Sequence, residues 1–340
     1  MRLRRGGRAA IAGAGLVAAL VVASCGSGSN GASTSAGTAT TAAPTGRPPA
    51  GPFAVGMLVR PFVDTSRPTA AQGGAPAKPS RTLVTTMLYP ALGPPGPAAR
   101  PNAPPDTAAG PFPLVVFAPG SGGAPADFGA LLGSWAEAGY VVAAPEFPLT
   151  GAHAPGGAVV ADYVNQPGDV RFVIDQMVRA PPVELAGMVD SGRIGLAGHS
   201  LGGVTTMGVA FNTCCLDPRV RAVVVMAGSP LPFPGGTYFG RVASPPALFI
   251  QGSADERVVP DTSVLAYNRA RPPKALVMIV GGTHSSPYQG DQLTRQVDLV
   301  ARMSIDFLDR YLEGRPAGAA QLRQAVDSSG GLATLRETGL

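Results

Sequence analysis

The sequence predicts one α/β domain, with a mostly parallel central sheet and helices on both of its faces. Two observations carry this prediction. Between residues 53 and 314, apolar runs rich in β-branched residues alternate with segments of helical periodicity, which is the pattern of repeated strand–helix units. Several of the runs are apolar throughout, as strands buried on both faces are. The length of the span suits a single domain.

The predicted elements follow one another in a regular order. An early strand over 81–90 precedes a loop rich in proline, glycine and alanine over 91–111. Further strands are predicted at 112–120, 140–148, 192–198, 219–228, 245–256 and 274–286. Helices are predicted at 126–140, 167–180, 201–212 and 291–312. The second of these helices has proline and aspartate in its first turn, and the last is long and amphipathic.

The N-terminus indicates export. Residues 1–8 are basic and residues 9–24 are apolar and uncharged, as in a signal peptide. Small residues precede Cys25, which resembles the bacterial lipobox, where cleavage frees a cysteine whose thiol carries a diacylglycerol. We therefore expect 1–24 to be a lipoprotein signal peptide and Cys25 to anchor the protein on the extracytoplasmic side of the cell membrane. An ordinary signal peptide, with a cell-wall or secreted product, or an uncleaved anchor helix are the alternatives.

The two ends of the predicted domain differ from its interior. Residues 25–52 are mostly glycine, serine, threonine, alanine and proline, and such a segment buries too little apolar surface to offset its ordering entropy. We expect a disordered tether there. Residues 315–340 have weak helical character, and we expect a tail outside the core.

The charge balance argues against a nucleic-acid partner. The formal net charge is +5, but four arginines lie in the first eight residues, and subtracting them leaves +1. The expected partners are a small-molecule or lipid ester and the membrane, with the protein a monomer that uses no cofactor. Cys214 and Cys215 are adjacent, so either a vicinal disulfide or two buried thiols are open, and their spacing does not suit a metal site.

Ser200 is the candidate nucleophile. It lies in the string Gly198-His199-Ser200-Leu201-Gly202, between a predicted strand and a predicted helix, which is the context of a nucleophile elbow. Side chains at 198 and 202 would collide with neighbouring elements in so tight a turn. The helix N-terminus beside Ser200 also favours developing negative charge.

A serine hydroxyl needs a base, and the chain has three histidines. His199 lies inside the turn and cannot fold back onto its neighbour's hydroxyl, and His153 precedes the serine. His284 follows the last predicted strand, which satisfies the order serine, acid, histidine. We predict that His284 is the base.

Four carboxylates lie between Ser200 and His284, namely Asp217, Asp255, Glu256 and Asp261. Asp255 follows a buried strand and therefore lies at the reactive edge of the sheet. We predict Asp255 as the third member, with Glu256 as the alternative. Asp217 precedes a strand, at the opposite edge, and Asp261 is expected to cap a helix.

An oxyanion hole needs two backbone N–H donors. One is expected from Leu201, directly after the nucleophile. The other is expected from the glycine-rich loop after the strand 112–120, and by position we choose Ser121, with Gly120 and Gly122 as alternatives.

The strings FPLVVFAPGSGG, QPGDVRFVID, GLAGHSLGG, QGSADERVVP and GGTHSSPY resemble the α/β-hydrolase superfamily, over residues 80–312. They are most similar to its dienelactone hydrolases, platelet-activating-factor acetylhydrolases and bacterial polyester hydrolases. The resemblance implies an α/β-hydrolase fold, a Ser200–His284–Asp255 triad and an ester substrate. Dienelactone hydrolases use a cysteine where this chain has Ser200. Trp135, the only tryptophan, is expected in the core.

These observations predict an exported, lipid-anchored serine hydrolase that cleaves carboxylic esters through an acyl-enzyme on Ser200. Two alternatives remain at this point. The acyl group could pass to an alcohol, which would make the protein an acyltransferase of envelope lipids or glycans. A non-catalytic binding lipoprotein on a hydrolase scaffold is the other alternative, and its expected signature is a broken triad.

Overall fold

The computed structural model describes residues 52–95, 98–240 and 244–340. The predicted signal peptide, Cys25 and all but the last residue of the predicted tether lie outside these ranges. Within them, no helix combines the length and the apolar character needed to cross a membrane.

In the described ranges, ten strands form a single sheet, and six α-helices accompany it. The strands are β1 (Ala54–Asp64), β2 (Arg81–Ala91), β3 (Arg100–Pro101), β4 (Phe112–Ala118), β5 (Val141–Glu146), β6 (Val189–His199), β7 (Val220–Met226), β8 (Ala247–Gly252), β9 (Lys274–Ile279) and β10 (Ala333–Thr338). The helices are α1 (Gly129–Glu137), α2 (Gln166–Arg179), α3 (Leu201–Phe211), α4 (Pro260–Arg269), α5 (Arg295–Leu312) and α6 (Gly318–Asp327).

The order of strands across the sheet is β10-β9-β8-β7-β6-β4-β5-β2-β1-β3. The six strands from β9 to β5 in this order are parallel to their neighbours. Antiparallel pairing occurs toward the edges, where β2 joins β5 and β1, and β10 joins β9. The mostly parallel sheet predicted from the sequence is confirmed, and it brings the carboxyl ends of the central strands to one edge.

Helices cover both faces of the sheet. α2, α3 and α4 contribute to the core on one face, and α1, α5 and α6 to the core on the other. Along β4, Leu114 and Val116 face the first core, whereas Val115 and Phe117 face the second. Trp135 is fully buried in α1, as expected, and its indole N–H donates to the Ser304 hydroxyl at 2.8 Å.

Residues 315–340 are part of the domain, which corrects the expectation of a tail outside the core. α6 packs against α5 with Leu322 fully buried, and β10 pairs with β9 from Ala333–Ile279 to Thr338–Lys274. Ala333 is buried, but the side chains after it alternate between exposed and half-buried, so this edge strand lacks the continuous apolar run of a central strand. β1 also has no counterpart among the predicted elements, because charged residues and a proline interrupt its apolar pattern.

Cys214 and Cys215 form a vicinal disulfide directly after α3. Of the two arrangements left open by the sequence, the structure has the disulfide rather than two buried thiols. The turn that contains it is held to the segment after β7, because Thr213 donates its N–H to the Thr237 carbonyl at 3.1 Å.

The role of α6 in the core can be tested at Leu322. Leu322→Ala should lower the free energy of unfolding by about 2–5 kcal/mol, because it leaves a cavity between α6 and the core. Gln321→Ala, at an exposed position of the same helix, should change it by less than about 0.5 kcal/mol. Chemical denaturation measures both values, and a negligible effect of Leu322→Ala would contradict the packing of this helix.

Candidate active site

Ser200 occupies the turn between β6 and α3 with a φ of 57°, a conformation that non-glycine residues rarely adopt. Its N–H donates to the Met226 carbonyl on β7 at 2.9 Å, which fixes the turn. A Cβ on Gly198 would collide with the Gly202 carbonyl, and a Cβ on Gly202 would collide with the Ala118 carbonyl. The two glycines therefore permit the close approach of three backbone segments, for the reason expected from the sequence.

The loops after β8 and β9 bring two further side chains to this turn. His284 Nε2 lies 2.9 Å from Ser200 Oγ, and His284 Nδ1 lies 2.8 Å from Asp255 Oδ2. With the Nδ1–H donating to Asp255, Nε2 carries the lone pair that accepts the serine proton. The structure thus brings together Ser200, His284 and Asp255 in a continuous hydrogen-bonded chain.

Asp255 is buried and accepts four hydrogen bonds. Its Oδ1 accepts the N–H groups of Arg257 and Val258, both at 2.9 Å, and its Oδ2 accepts from His284 and from Gln251 Nε2. Burial acts to raise the pKa of Asp255, but the hydrogen bonds from Val258 and His284 outweigh it and lower the pKa below its ordinary value. The carboxylate is therefore ionised and held in one orientation.

Gln251 is a site residue that the sequence analysis missed. Its buried amide donates to Asp255 at 2.9 Å and to the Val258 carbonyl at 3.0 Å, while its oxygen accepts from the Ser263 hydroxyl at 2.7 Å. The only available signal was a lone amide at the end of an otherwise apolar strand. Because the amide has partners at both ends, it fixes the side chain that orients His284.

His199 lies in the interior behind the turn. Its Nε2 donates to the main-chain carbonyl of His284 at 2.7 Å, and its ring packs against those of Phe128 and Tyr288. Burial lowers the pKa of His199 to about 4, so the imidazole is neutral at ordinary pH. The His199 ring bonds to the main chain of His284 and not to the Ser200 hydroxyl. This agrees with the prediction that His199 is not the base.

The remaining candidates lie elsewhere. His153 is exposed and pairs through Nδ1 with Glu146 at 2.9 Å. Asp217 lies before β7, at the opposite edge of the sheet from the site, and pairs with Arg219. Asp261 lies in the first turn of α4, but the helix has no side-chain cap, so the expected cap is wrong.

The loop after β4 lies against the serine. A Cβ on Gly120 would lie 3.0 Å from Ser200 Cβ, which shows how closely this backbone approaches. The Gly122 N–H is occupied, since it donates to the Thr150 carbonyl at 2.7 Å. Within the described residues, no hydrogen bond uses the N–H of Ser121 or of Leu201. These two groups remain available for a bound anion, which favours Ser121 over Gly122.

A cavity of about 760 Å³ opens beside His284 and Ser121. Its wall carries the charged side chains of Asp127, Glu256 and Arg257. Glu256, the alternative acid, is thus exposed in this cavity, whereas Asp255 holds the histidine. The described ranges contain no group of three or more His, Cys, Asp or Glu side chains that could hold a metal ion.

Leu201, directly after the nucleophile, belongs to an apolar cluster with Val204 and Phe233, and Tyr163 and Tyr238 pack against this cluster. The segment 231–239 therefore contributes aromatic residues beside the helix that follows the nucleophile. The segment 146–155 lines a separate cavity of about 400 Å³.

Residues 105–317, which are more than half of the chain, match the PET hydrolase-like family. The chain belongs to this family. It is an α/β-hydrolase of the polyester-hydrolase-like group and an ester hydrolase. The structure is also similar to the ferulic acid esterase from Streptomyces cinnamoneus, with a TM-score of 0.65 and 24% identity, over 86% of this chain and 99% of that chain. A comparison with curated proteins found no match.

Because His199 is buried and neutral in the folded hydrolase, its free energy of unfolding should depend on pH. In the unfolded chain the imidazole has its ordinary pKa of about 6.5, so between this pH and about pH 4 the unfolded state binds a proton that the folded state does not. Acidification through this range should therefore cost about 2–3 kcal/mol of stability through His199 alone.

His199→Phe keeps an aromatic ring and should remove this part of the pH dependence. Urea denaturation on both sides of the range measures it, as the difference between the variant and the wild-type chain. The same loss of stability on acidification in both proteins would show that His199 titrates normally.

Proposed function

We propose that this ester hydrolase is an exported, lipid-anchored serine esterase that forms an acyl-enzyme on Ser200. The observation that carries the proposal is the hydrogen-bonded chain from Asp255 through His284 to Ser200. The intact chain favours catalysis over the alternative of a binding protein with a broken triad.

In the proposed reaction, Ser200 Oγ attacks the ester carbonyl carbon while His284 Nε2 takes the hydroxyl proton. The resulting imidazolium is stabilised by Asp255, and it donates its proton to the leaving alcohol as the carbon–oxygen bond breaks. Water then attacks the acyl-enzyme, again giving its proton to His284, and the acid leaves as Ser200 recovers its hydrogen. The N–H groups of Leu201 and Ser121 stabilise the oxyanion in both steps.

The proposed substrate is an ester of an aromatic or otherwise apolar acid. The half-buried side chains of Tyr163, Leu231 and Tyr238, which pack against the cluster of Leu201, Val204 and Phe233, would offer such an acyl group an apolar surface. The cavity with Arg257 and Glu256 suits a polar alcohol. Both names found in the comparisons refer to esters of aromatic acids.

The nucleophile is tested by replacement of its hydroxyl. Ser200→Ala should lower kcat for p-nitrophenyl butyrate and p-nitrophenyl benzoate by about 10⁴-fold or more, because it removes the hydroxyl proposed to accept the acyl group. The thermal unfolding transition should be retained, and a fluorophosphonate probe should label the wild-type chain at Ser200 only.

Ser285→Ala serves as the matched control, because this serine lines the same cavity outside the triad. It should retain wild-type turnover. Turnover that survives in Ser200→Ala would refute the proposed nucleophile.

The lipid anchor rests on the sequence around Cys25, which lies outside the described residues. We expect the full-length protein to enter the membrane fraction of a bacterial host, and mass spectrometry to find a diacylglyceryl group on Cys25 after cleavage. Cys25→Ser should remove the lipid and release the protein from that fraction. A Cys25→Ser protein that stays membrane-bound would favour an uncleaved anchor helix instead.

A further inference from the structure

A buried chain of hydrogen bonds connects the two backbone segments proposed to bind the oxyanion. Gly122, next to Ser121, donates its N–H to the Thr150 carbonyl at 2.7 Å. The Thr150 hydroxyl accepts from Gln166 Nε2 at 2.6 Å. Gln166 Oε1 in turn accepts from the Thr205 hydroxyl. The chain thus runs from the loop after β4, through the first residue of α2, to the second turn of α3.

The far end of this chain contacts the residue that carries the second proposed donor. The Thr205 hydroxyl lies 3.2 Å from the Leu201 carbonyl, one helical turn earlier in α3. Thr150, Gln166 and Thr205 are all fully buried. A buried amide with partners at both ends resists displacement, because its movement would leave two hydroxyl groups unpaired away from water.

A second hydrogen bond joins the loop after β4 to the segment that contains Thr150. Ala152, two residues later, donates its N–H to the Gly123 carbonyl at 3.1 Å. The segment 150–152 therefore holds residues 122 and 123 at two points, directly beside Ser121. A shift of Thr150 is passed on to the backbone that carries the proposed donor.

We propose that Gln166 is a positioning residue that sets the spacing between the N–H groups of Ser121 and Leu201. The inference rests on the proposed function, since it concerns the oxyanion site of that reaction. Gln166 acts only through the two backbone segments and makes no contact with substrate. Gln166 therefore lowers the free energy of the transition state, because donors that are already aligned stabilise the oxyanion without reorganisation.

Two substitutions break the chain without a large change in shape. Gln166→Met removes both amide bonds, and Thr205→Val removes the hydroxyl. In each variant kcat for p-nitrophenyl butyrate should fall by about tenfold or more, while KM stays within about threefold. A trifluoromethyl ketone adds reversibly to the nucleophile and forms an oxyanion, so its inhibition constant should rise by the factor by which kcat/KM falls.

Two controls separate alignment from stability. Thr205→Ser keeps the hydroxyl and should retain kcat and the inhibition constant within about threefold. Thr85→Val makes the same replacement at another fully buried threonine, whose hydroxyl donates to the Leu83 carbonyl on β2. It should leave both quantities at their wild-type values, and thermal unfolding reports how much stability each variant loses.

Wild-type inhibition constants in Gln166→Met and Thr205→Val would overturn the inference, and so would an equal loss of activity in Thr85→Val. If Gln166→Met fails to fold, the comparison of Thr205→Val with Thr205→Ser decides alone. Failure of the proposed function is recognised separately, since turnover would then persist in Ser200→Ala. An inactive Ser200→Ala protein together with unchanged inhibition constants removes the role of Gln166 only.

Discussion

The close approach of backbone segments around Ser200 is the constraint on which the rest of the site depends. Gly202 lies against the Ala118 carbonyl, and Gly120 lies against the serine side chain. Because no side chain separates these segments, the end of β4, the turn and the start of α3 lie in direct contact. The left-handed backbone of Ser200 is maintained by this packing rather than by any local preference of serine.

Burial and hydrogen-bond geometry give the three histidines different properties. Burial lowers the pKa of His199 to about 4, and its ring donates a hydrogen bond to the main-chain carbonyl of His284. His284 is only partly buried, with its two nitrogens directed at Asp255 and Ser200. His153 lies on the surface beside Glu146. A histidine next to the nucleophile in sequence is therefore a structural support, whereas a distant one reaches the hydroxyl.

The sequence predicted the residues that follow strands. Ser200, Asp255 and His284 each lie beyond the carboxyl end of a parallel strand, so their order along the chain translates directly into proximity at one edge. Gln251 and Gln166 were not predicted, because a single glutamine belongs to no sequence motif and its hydrogen-bond partners are set by tertiary packing. β10 was not predicted either, because an edge strand exposes part of its surface and its apolar pattern is weak.

The pairing of β10 with β9 also has a consequence for the order in which the enzyme is assembled during synthesis. β9 leads directly into the loop of His284, and at its end the Val280 N–H donates to the Leu332 carbonyl at 2.8 Å. These bonds cannot form until residues 332–338 have left the ribosome, long after Ser200 has been made. A nascent chain therefore carries Ser200 before β9, the strand that leads to His284, is paired on this edge.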